Sequence, residues 1–236
     1  MKFKNLLGLG IALLCLAACK KESPIIEPPI VKPDETEIIR DSVAYVMDGK
    51  LNTASKYSSG WKVSNVQPNS KVDSIVNYAY YISGDKDSVM YSKTYSFYKN
   101  SNKIDFIFIK KYNKKVMTSG FLYEPSDIRD FYAVGMRNYA LDYERNNSQN
   151  GIAINVNNEG AYKTYGSDSF RIPPTLSADA QQNSKFEIIS VKKTKTGLYI
   201  LEARFNAKVY DDKNGSKRID NGYLKINLGL LDEYFK

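Results

Sequence analysis

Two close pairs of acids, Asp127 with Asp130 and Asp142 with Glu144, are the side chains best placed by type to do chemistry. Paired carboxylates serve glycoside hydrolysis when they face each other across a cleft. Spacing along the chain does not arrange that, and Asp127 and Asp130 also stand where acids favour the start of a helix. Beyond these the repertoire is narrow. The 236 residues contain no histidine and two cysteines, Cys15 and Cys19. Without imidazole the chain lacks the commonest general base near neutral pH and the commonest metal ligand. Ser-His-Asp triads and histidine-zinc hydrolases are therefore excluded. The run Asp211-Asp212-Lys213-Asn214-Gly215 superficially resembles a calcium loop. Its glycine would put Tyr210 at the first ligand position and the closing glutamate is missing, so it reads as a hairpin turn. No catalytic residue, cofactor or metal ligand is assigned, and the chain is expected not to be an enzyme.

Cys19 has a different chemistry. Lys2 and Lys4 give a positive start, and the apolar run from Leu6 to Leu16 ends in the small residues Ala17 and Ala18. That run is about eleven residues where a membrane-spanning helix needs about twenty, so residues 1–18 read as a cleaved signal peptide. Leu16-Ala17-Ala18-Cys19 resembles the lipobox of bacterial lipoproteins. The resemblance implies a diacylglycerol on the Cys19 sulfur and a fatty acid on its new amine, hence palmitate-type anchoring. One acyl chain binds a membrane only marginally, whereas two or three hold it stably. Cys15 would leave with the signal, so the mature domain would have no thiol for a disulfide, a nucleophile or a metal site. Cleavage would also remove two lysines and no acid, taking the formal charge from +8 to +6.

Behind the cysteine, residues 19–37 carry Pro24, Pro28, Pro29 and Pro33, half of all the prolines, among Glu22, Glu27, Asp34 and Glu35. Such a stretch favours extended, semi-rigid backbone and reads as a linker. Residues 38–236 then form one β-rich domain, long enough to bury a substantial core.

Period-two alternation dominates that domain. From Leu198 to Tyr210, Tyr199, Leu201, Ala203, Phe205, Ala207 and Val209 alternate with Glu202, Arg204, Asn206 and Lys208, one face dry and the other wet. Gly222 to Leu228 repeats the pattern. Earlier strands are expected at 42–47, 61–66, 74–82, 88–98, 103–112, 151–156, 161–165 and 186–193. Asp48-Gly49, Gly84-Asp85, Asn100-Ser101-Asn102 and Asn157-Asn158-Glu159-Gly160 supply turns between many of them. The fold class expected is all-β, an antiparallel β-sandwich or partly open barrel of about 9–11 strands. One short helix is expected from Pro125-Ser126-Asp127, through Ile128, Phe131 and Tyr132, to a stop at Gly135. Residues 166–185, with Pro173-Pro174, read as a loop.

Tyr45-Val46-Met47-Asp48-Gly49-Lys50, Gly151-Ile152-Ala153-Ile154, Phe205 to Asp211 and Ile219-Asp220-Asn221-Gly222-Tyr223 together resemble uncharacterised cell-envelope lipoproteins of the Bacteroidota. The resemblance covers roughly residues 43–56 and 150–228 and implies location and architecture, with the outer membrane preferred. Proteins exported by that phylum carry Asp-Ser-aliphatic triplets for O-glycosylation, and Asp41-Ser42-Val43, Asp73-Ser74-Ile75 and Asp87-Ser88-Val89 match. Polar entries into strands explain the triplets equally well.

Tyrosine is frequent, 19 in all, and Tyr78, Tyr80, Tyr81, Tyr91, Tyr95, Tyr98 and Tyr112 cluster with Phe97, Phe106 and Phe108. Exposed rings would stack on sugars or on a partner, whereas buried ones would simply suit a pleated sheet. Lys99, Lys103, Lys110, Lys111, Lys114 and Lys115 lie nearby. For an exported protein nucleic acid is not the expected partner. The expected role is a non-catalytic binding or structural one at the cell envelope, held to the membrane by the N-terminal lipid. The alternative is a glycan-binding or adhesin-type component of a surface assembly, with a glycan or envelope protein as partner, and a carboxylate-based glycosidase stands behind both.

Overall fold

The computed structural model describes residues 41–57, 62–166, 176–195, 197–213 and 215–229. Cys19 and the stretches expected as signal peptide (1–18) and linker (19–37) lie outside the described residues, as does Trp61.

The described chain opens with a tight hairpin. β1 (Ser42–Met47) turns through Asp48 and Gly49, both at positive φ, into β2 (Lys50–Ala54). β3 (Lys56–Tyr57) and β4 (Lys62–Val66) follow as short pieces. β5 (Lys71–Val76) and β6 (Ala79–Ser83) form a separate two-stranded ribbon. β7 (Ser88–Lys99) and β8 (Asn102–Asn113) make a long hairpin. A single 3-10 turn at Lys114–Val116 leads to a small ribbon of β9 (Met117–Ser119) and β10 (Tyr123–Pro125). β11 (Gly135–Arg137), β12 (Gly151–Asn157) and β13 (Ala161–Lys163) come next. β14 (Lys185–Lys193), β15 (Tyr199–Tyr210) and β16 (Ser216–Asn227) complete the set.

Twelve of these strands form one sheet in the order β2-β1-β16-β15-β13-β12-β8-β7-β3, with β14 and β11 reached through β15 and with β4 beside β7. Its strand pairs are antiparallel, and it curls strongly into a half-barrel, as the all-β reading requires. Curling needs bends, and the register shifts supply them. One lies between Ala44 and Val46 on β1, one between Ile188 and Ser190 on β14, and one between Phe205 and Ala207 on β15. At the last bend Phe205 pairs with Gly222, and a Cβ on Gly222 would meet the Phe205 ring at 2.6 Å. The ring covers the glycine, which lets β15 and β16 fold closely over each other.

The concave side holds the core. Phe97, Phe106 and Phe108 from β7 and β8 meet Phe186 and Phe205 from β14 and β15, with Phe106 and Phe205 at 5.1 Å edge-to-face. Leu201, Ala203, Phe205, Ala207 and Val209 are all buried while Arg204 and Lys208 are exposed, so the alternation read from β15 holds. Ile128, Phe131 and Tyr132 are buried as a plug packed on Tyr91, Tyr95 and Phe108, and Tyr132 and Tyr95 share a hydroxyl hydrogen bond of 2.6 Å.

That plug corrects the expected helix. Pro125 ends β10, and the Ile128 carbonyl accepts from the Phe131 and Tyr132 amides, but the turn goes no further. The Ala133 carbonyl instead takes an Arg137 guanidinium N–H. One turn is below the length at which a helix sustains itself, so the apolar spacing serves a loop that inserts three side chains. Residues 74–82 are likewise two strands and not one. Asn77 and Tyr78, at φ 48° and 64°, make a turn in the middle of the expected strand. The strand elements also outnumber the expected 9–11, because five short ones (β2, β3, β9, β10 and β11) carry too little alternation to be read.

Candidate functional site

The outer face of β7, β8 and β12 is apolar at Met90, Ile107, Ile109 and Ala153, and it is covered by Ala140, Tyr143 and Tyr165. The covering segment is fixed by its own polar groups. Asp142 Oδ2 accepts from the Ser148 amide at 2.8 Å and its hydroxyl at 2.7 Å, and Oδ1 accepts from the Gln149 amide. The Asp142 carbonyl accepts from the amides of Arg145 and Asn147, and Asn147 Oδ1 accepts from the Glu144 amide. Glu144 and Asn147 sit at φ 64° and 51°. A left-handed conformation costs a non-glycine residue about 1–3 kcal/mol and persists where the surroundings enforce it.

Gly151 completes this arrangement from beneath. It lies at φ +145°, and a Cβ there would stand 2.0 Å from the Asn138 carbonyl oxygen. The Ile152 amide donates to that same oxygen, and Ala140 donates back to Ile152. Residues 138–140 can therefore lie directly on β12 and carry the loop outward.

Between this loop and the base of the β5–β6 ribbon is a cleft of about 480 Å³. Val66, Ile82 and Met90 give it apolar walls, Tyr143 an aromatic one, and Gln67, Asn147, Glu144 and Arg145 its planar polar groups. The Ser70 amide donates to the Asn146 carbonyl at 3.0 Å, closing one end of the cleft. Behind the wall Tyr165 and Ser92 are buried, whereas Tyr143 is half-buried and Glu144 exposed. Tyr143 and Tyr165 meet edge-to-face at 5.2 Å, Tyr165 hydrogen-bonds Glu144, and Tyr143 hydrogen-bonds Ser92. Burial, with the nearby Glu144 charge, pushes the Tyr143 hydroxyl up to about 12 and drives Tyr165 higher. Both phenols stay protonated at neutral pH, and Tyr165 donates to the Glu144 carboxylate. Deeper in, Asp105 accepts from Ser96 at 2.5 Å and pairs with Lys103 at 2.9 Å.

The acids singled out in sequence are not brought together as a catalytic pair. Asp127 is forked by Arg129 at the surface, which holds its carboxyl below the usual range, and Asp130 lies 3.5 Å from Lys110. Asp142 builds the loop, and Glu144 alone of the four lines the cleft. Asp211 accepts from the Lys213 and Gly215 amides, a self-closed hairpin turn. Among the described residues no three acids converge as a metal site would need.

The tyrosines divide. Tyr91 and Tyr95 are core, whereas Tyr78 and Tyr81 are exposed on the ribbon. The lysines also divide between the two ends of the β7–β8 hairpin. Lys103, Lys110 and Lys111 each hold an acid, and Lys114 lies over Tyr123. Of the three Asp-Ser-aliphatic triplets, Asp73-Ser74-Ile75 is exposed throughout. Asp41 is bound to the Asn227 amide, and Val43 and Val89 are buried. The cleft residues Gln67, Ile82, Met90, Tyr143, Arg145 and Asn147 went unread because they come from separate segments and share no spacing.

Compared with protein families, curated proteins and solved structures, the chain gives no match.

Proposed function

We propose that this chain is a lipid-anchored cell-envelope lipoprotein, attached through Cys19 to the outer membrane, whose β domain is a non-catalytic binding module with the cleft as its ligand site. The observation that carries the binding role is the cleft, a preformed cavity of about 480 Å³ lying against a loop held by its own hydrogen bonds. Small-molecule sites commonly have this size and this mixture of apolar wall and few polar groups. A passive role is supported by the absence of histidine and by the structural duties of Asp127, Asp130 and Asp142. Anchoring rests on the lysine start, the apolar run and the residues before Cys19.

The lining favours a sugar among ligands. One carboxylate and one guanidinium balance in charge, and with the Gln67 amide they offer donors and acceptors for neighbouring hydroxyls. The Tyr143 ring can meet the apolar face of a pyranose. Screening the protein and its Arg145→Ala variant on a glycan array tests this reading. Sugars bound by the native chain and lost by the variant support it, and an array blank for both defeats the glycan reading. For anchoring, Cys19→Ala should move the protein out of the membrane fraction and change its mobility. Unchanged fractionation and mobility would defeat lipidation.

A further inference from the structure

The β5–β6 ribbon is the part of the molecule that the fold leaves least complete. Each of its strands pairs with the other and with neither of the remaining sheets, and a lone two-stranded ribbon is marginally stable in water. Ile75, Val76, Tyr78, Tyr81 and Ile82 are 49–93% exposed along it. Its two outer edges differ. β5 carries Lys71, Asp73 and a register shift between Val72 and Ser74, and charge and bulging are the devices that keep sheet edges from pairing. β6 reads Ala79-Tyr80-Tyr81-Ile82-Ser83, with no charge, no proline and no shift, the composition that pairs readily.

We propose that β6 is an intermolecular pairing edge and that its occupant is β6 of a second copy of this chain, antiparallel and centred on Tyr81. Charge selects this occupant. At +8, or +6 once residues 1–18 are removed, the chain repels its own copies over most of its surface. From Lys71 to Ser83 it holds one lysine and one aspartate, so two copies meet there without opposition. An acidic partner gains nothing on this neutral strand and is drawn to the lysine-bearing ends of β7 and β8. In the register centred on Tyr81, Tyr80 of each copy lies opposite Ile82 of the other, an aromatic with β-branched pair of the kind that stabilises sheets. Such a contact is isologous and closes as a dimer instead of extending as a fibre. It is small beside a standard interface, so the dimer is weak and forms where the chain is concentrated.

Cysteine cross-linking of the full chain reads this directly. Tyr81→Cys and Leu51→Cys are compared, Leu51 being 70% exposed on β2 at the far edge of the main sheet. Mild oxidation of membranes from the expressing cells should give a species of twice the chain mass with Tyr81→Cys. The native chain and Leu51→Cys should not give it, and adding Ile82→Lys should abolish it. Asp73→Lys, on the protected edge, should leave it in place. Equal cross-linking at positions 51 and 81, or a Tyr81→Cys product of another mass, overturns the proposal. Sedimentation of the purified native chain provides a second reading. Its average mass should rise with concentration while that of Ile82→Lys, checked for an unchanged thermal transition, stays at the monomer. A native chain that remains monomeric at the highest concentration also overturns it. Ile82 also walls the cleft, but both measurements read mass and not ligand binding, so failure here leaves the ligand reading standing.

Discussion

The hairpins β5–β6 and β7–β8 are neighbours in the chain, are written in the same residue types, and meet opposite fates. Both are rich in tyrosine and β-branched residues, yet Tyr91, Tyr95 and Phe97 are buried while Tyr78, Tyr81 and Ile75 stand in solvent. The difference lies in what each strand is given to pair with. β8 is flanked by β12 and β7 by β4 and β3, so the long hairpin sits inside the sheet with its concave face against β14 and β15. β5 and β6 have only each other. Strand propensity expresses fitness for a half-buried pleated surface, and whether that surface exists is decided by segments a hundred residues away.

The comparison predicts its largest asymmetry in the core. Phe106→Ala removes a ring packed on Phe97, Phe186 and Phe205 and should cost about 3–5 kcal/mol by denaturant titration. Tyr81→Ala should change stability by no more than about 0.5 kcal/mol, the level of an ordinary surface substitution. Similar losses at the two positions would break the comparison.

Next comes a charge that the long hairpin buries. Lys93 on β7 is 3% exposed, and desolvation lowers its pKa from 10.5 to about 8 against the opposing pull of Glu124. Between these values the unfolded chain binds the extra proton, so stability should rise with pH from about 8 toward 10, by at most about 3 kcal/mol. The tyrosines work the other way. Burial raises Tyr45 and Tyr143 to about 12, so above pH 10 the unfolded state loses their protons first and stability falls. Thermal midpoints should therefore peak near pH 9–10. Lys93→Met should remove the rising limb and spare the falling one, and an unchanged profile would exclude Lys93 as its source.

A smaller effect belongs to the plug. Tyr95→Phe deprives the Tyr132 hydroxyl of its 2.6 Å partner and should cost about 1–3 kcal/mol. The double variant Tyr95→Phe with Tyr132→Phe should recover part of that, since no polar atom is then left behind. A strictly additive loss would mean that the two hydroxyls do not depend on each other.

How much of this was legible in sequence follows from the range of the interactions. β15 was readable over its whole length because one face is uniformly dry, and the hairpin at Asp211 because its carboxylate bonds its own turn. The segment 125–135 misled because Ile128, Phe131 and Tyr132 recur at helical spacing while packing into the core on Tyr91, Tyr95 and Phe108. The cleft was invisible for the same reason, since β4, β7 and the 142–149 loop meet only after the sheet curls. Glu144 could be picked out as a carboxylate, but Tyr165, which hydrogen-bonds it, comes from a separate segment.

The turn of the exposed ribbon gives the finest measure of how separate the two hairpins are. Tyr78 occupies the second central position of a two-residue turn at φ 64°, where glycine is strongly preferred after asparagine. Its side chain is 93% exposed, so replacing it removes almost no packing. Tyr78→Gly should relieve about 1 kcal/mol of backbone strain and slow amide exchange in β5 and β6 by roughly fivefold. The relief should remain local. The ribbon has no strand in common with the main sheet, so the global thermal transition and the exchange of β7 and β8 amides should not move. A rise in the global midpoint along with the ribbon would show that the two hairpins unfold as one unit, and that the exposed one is secured by contacts stronger than its pairing suggests.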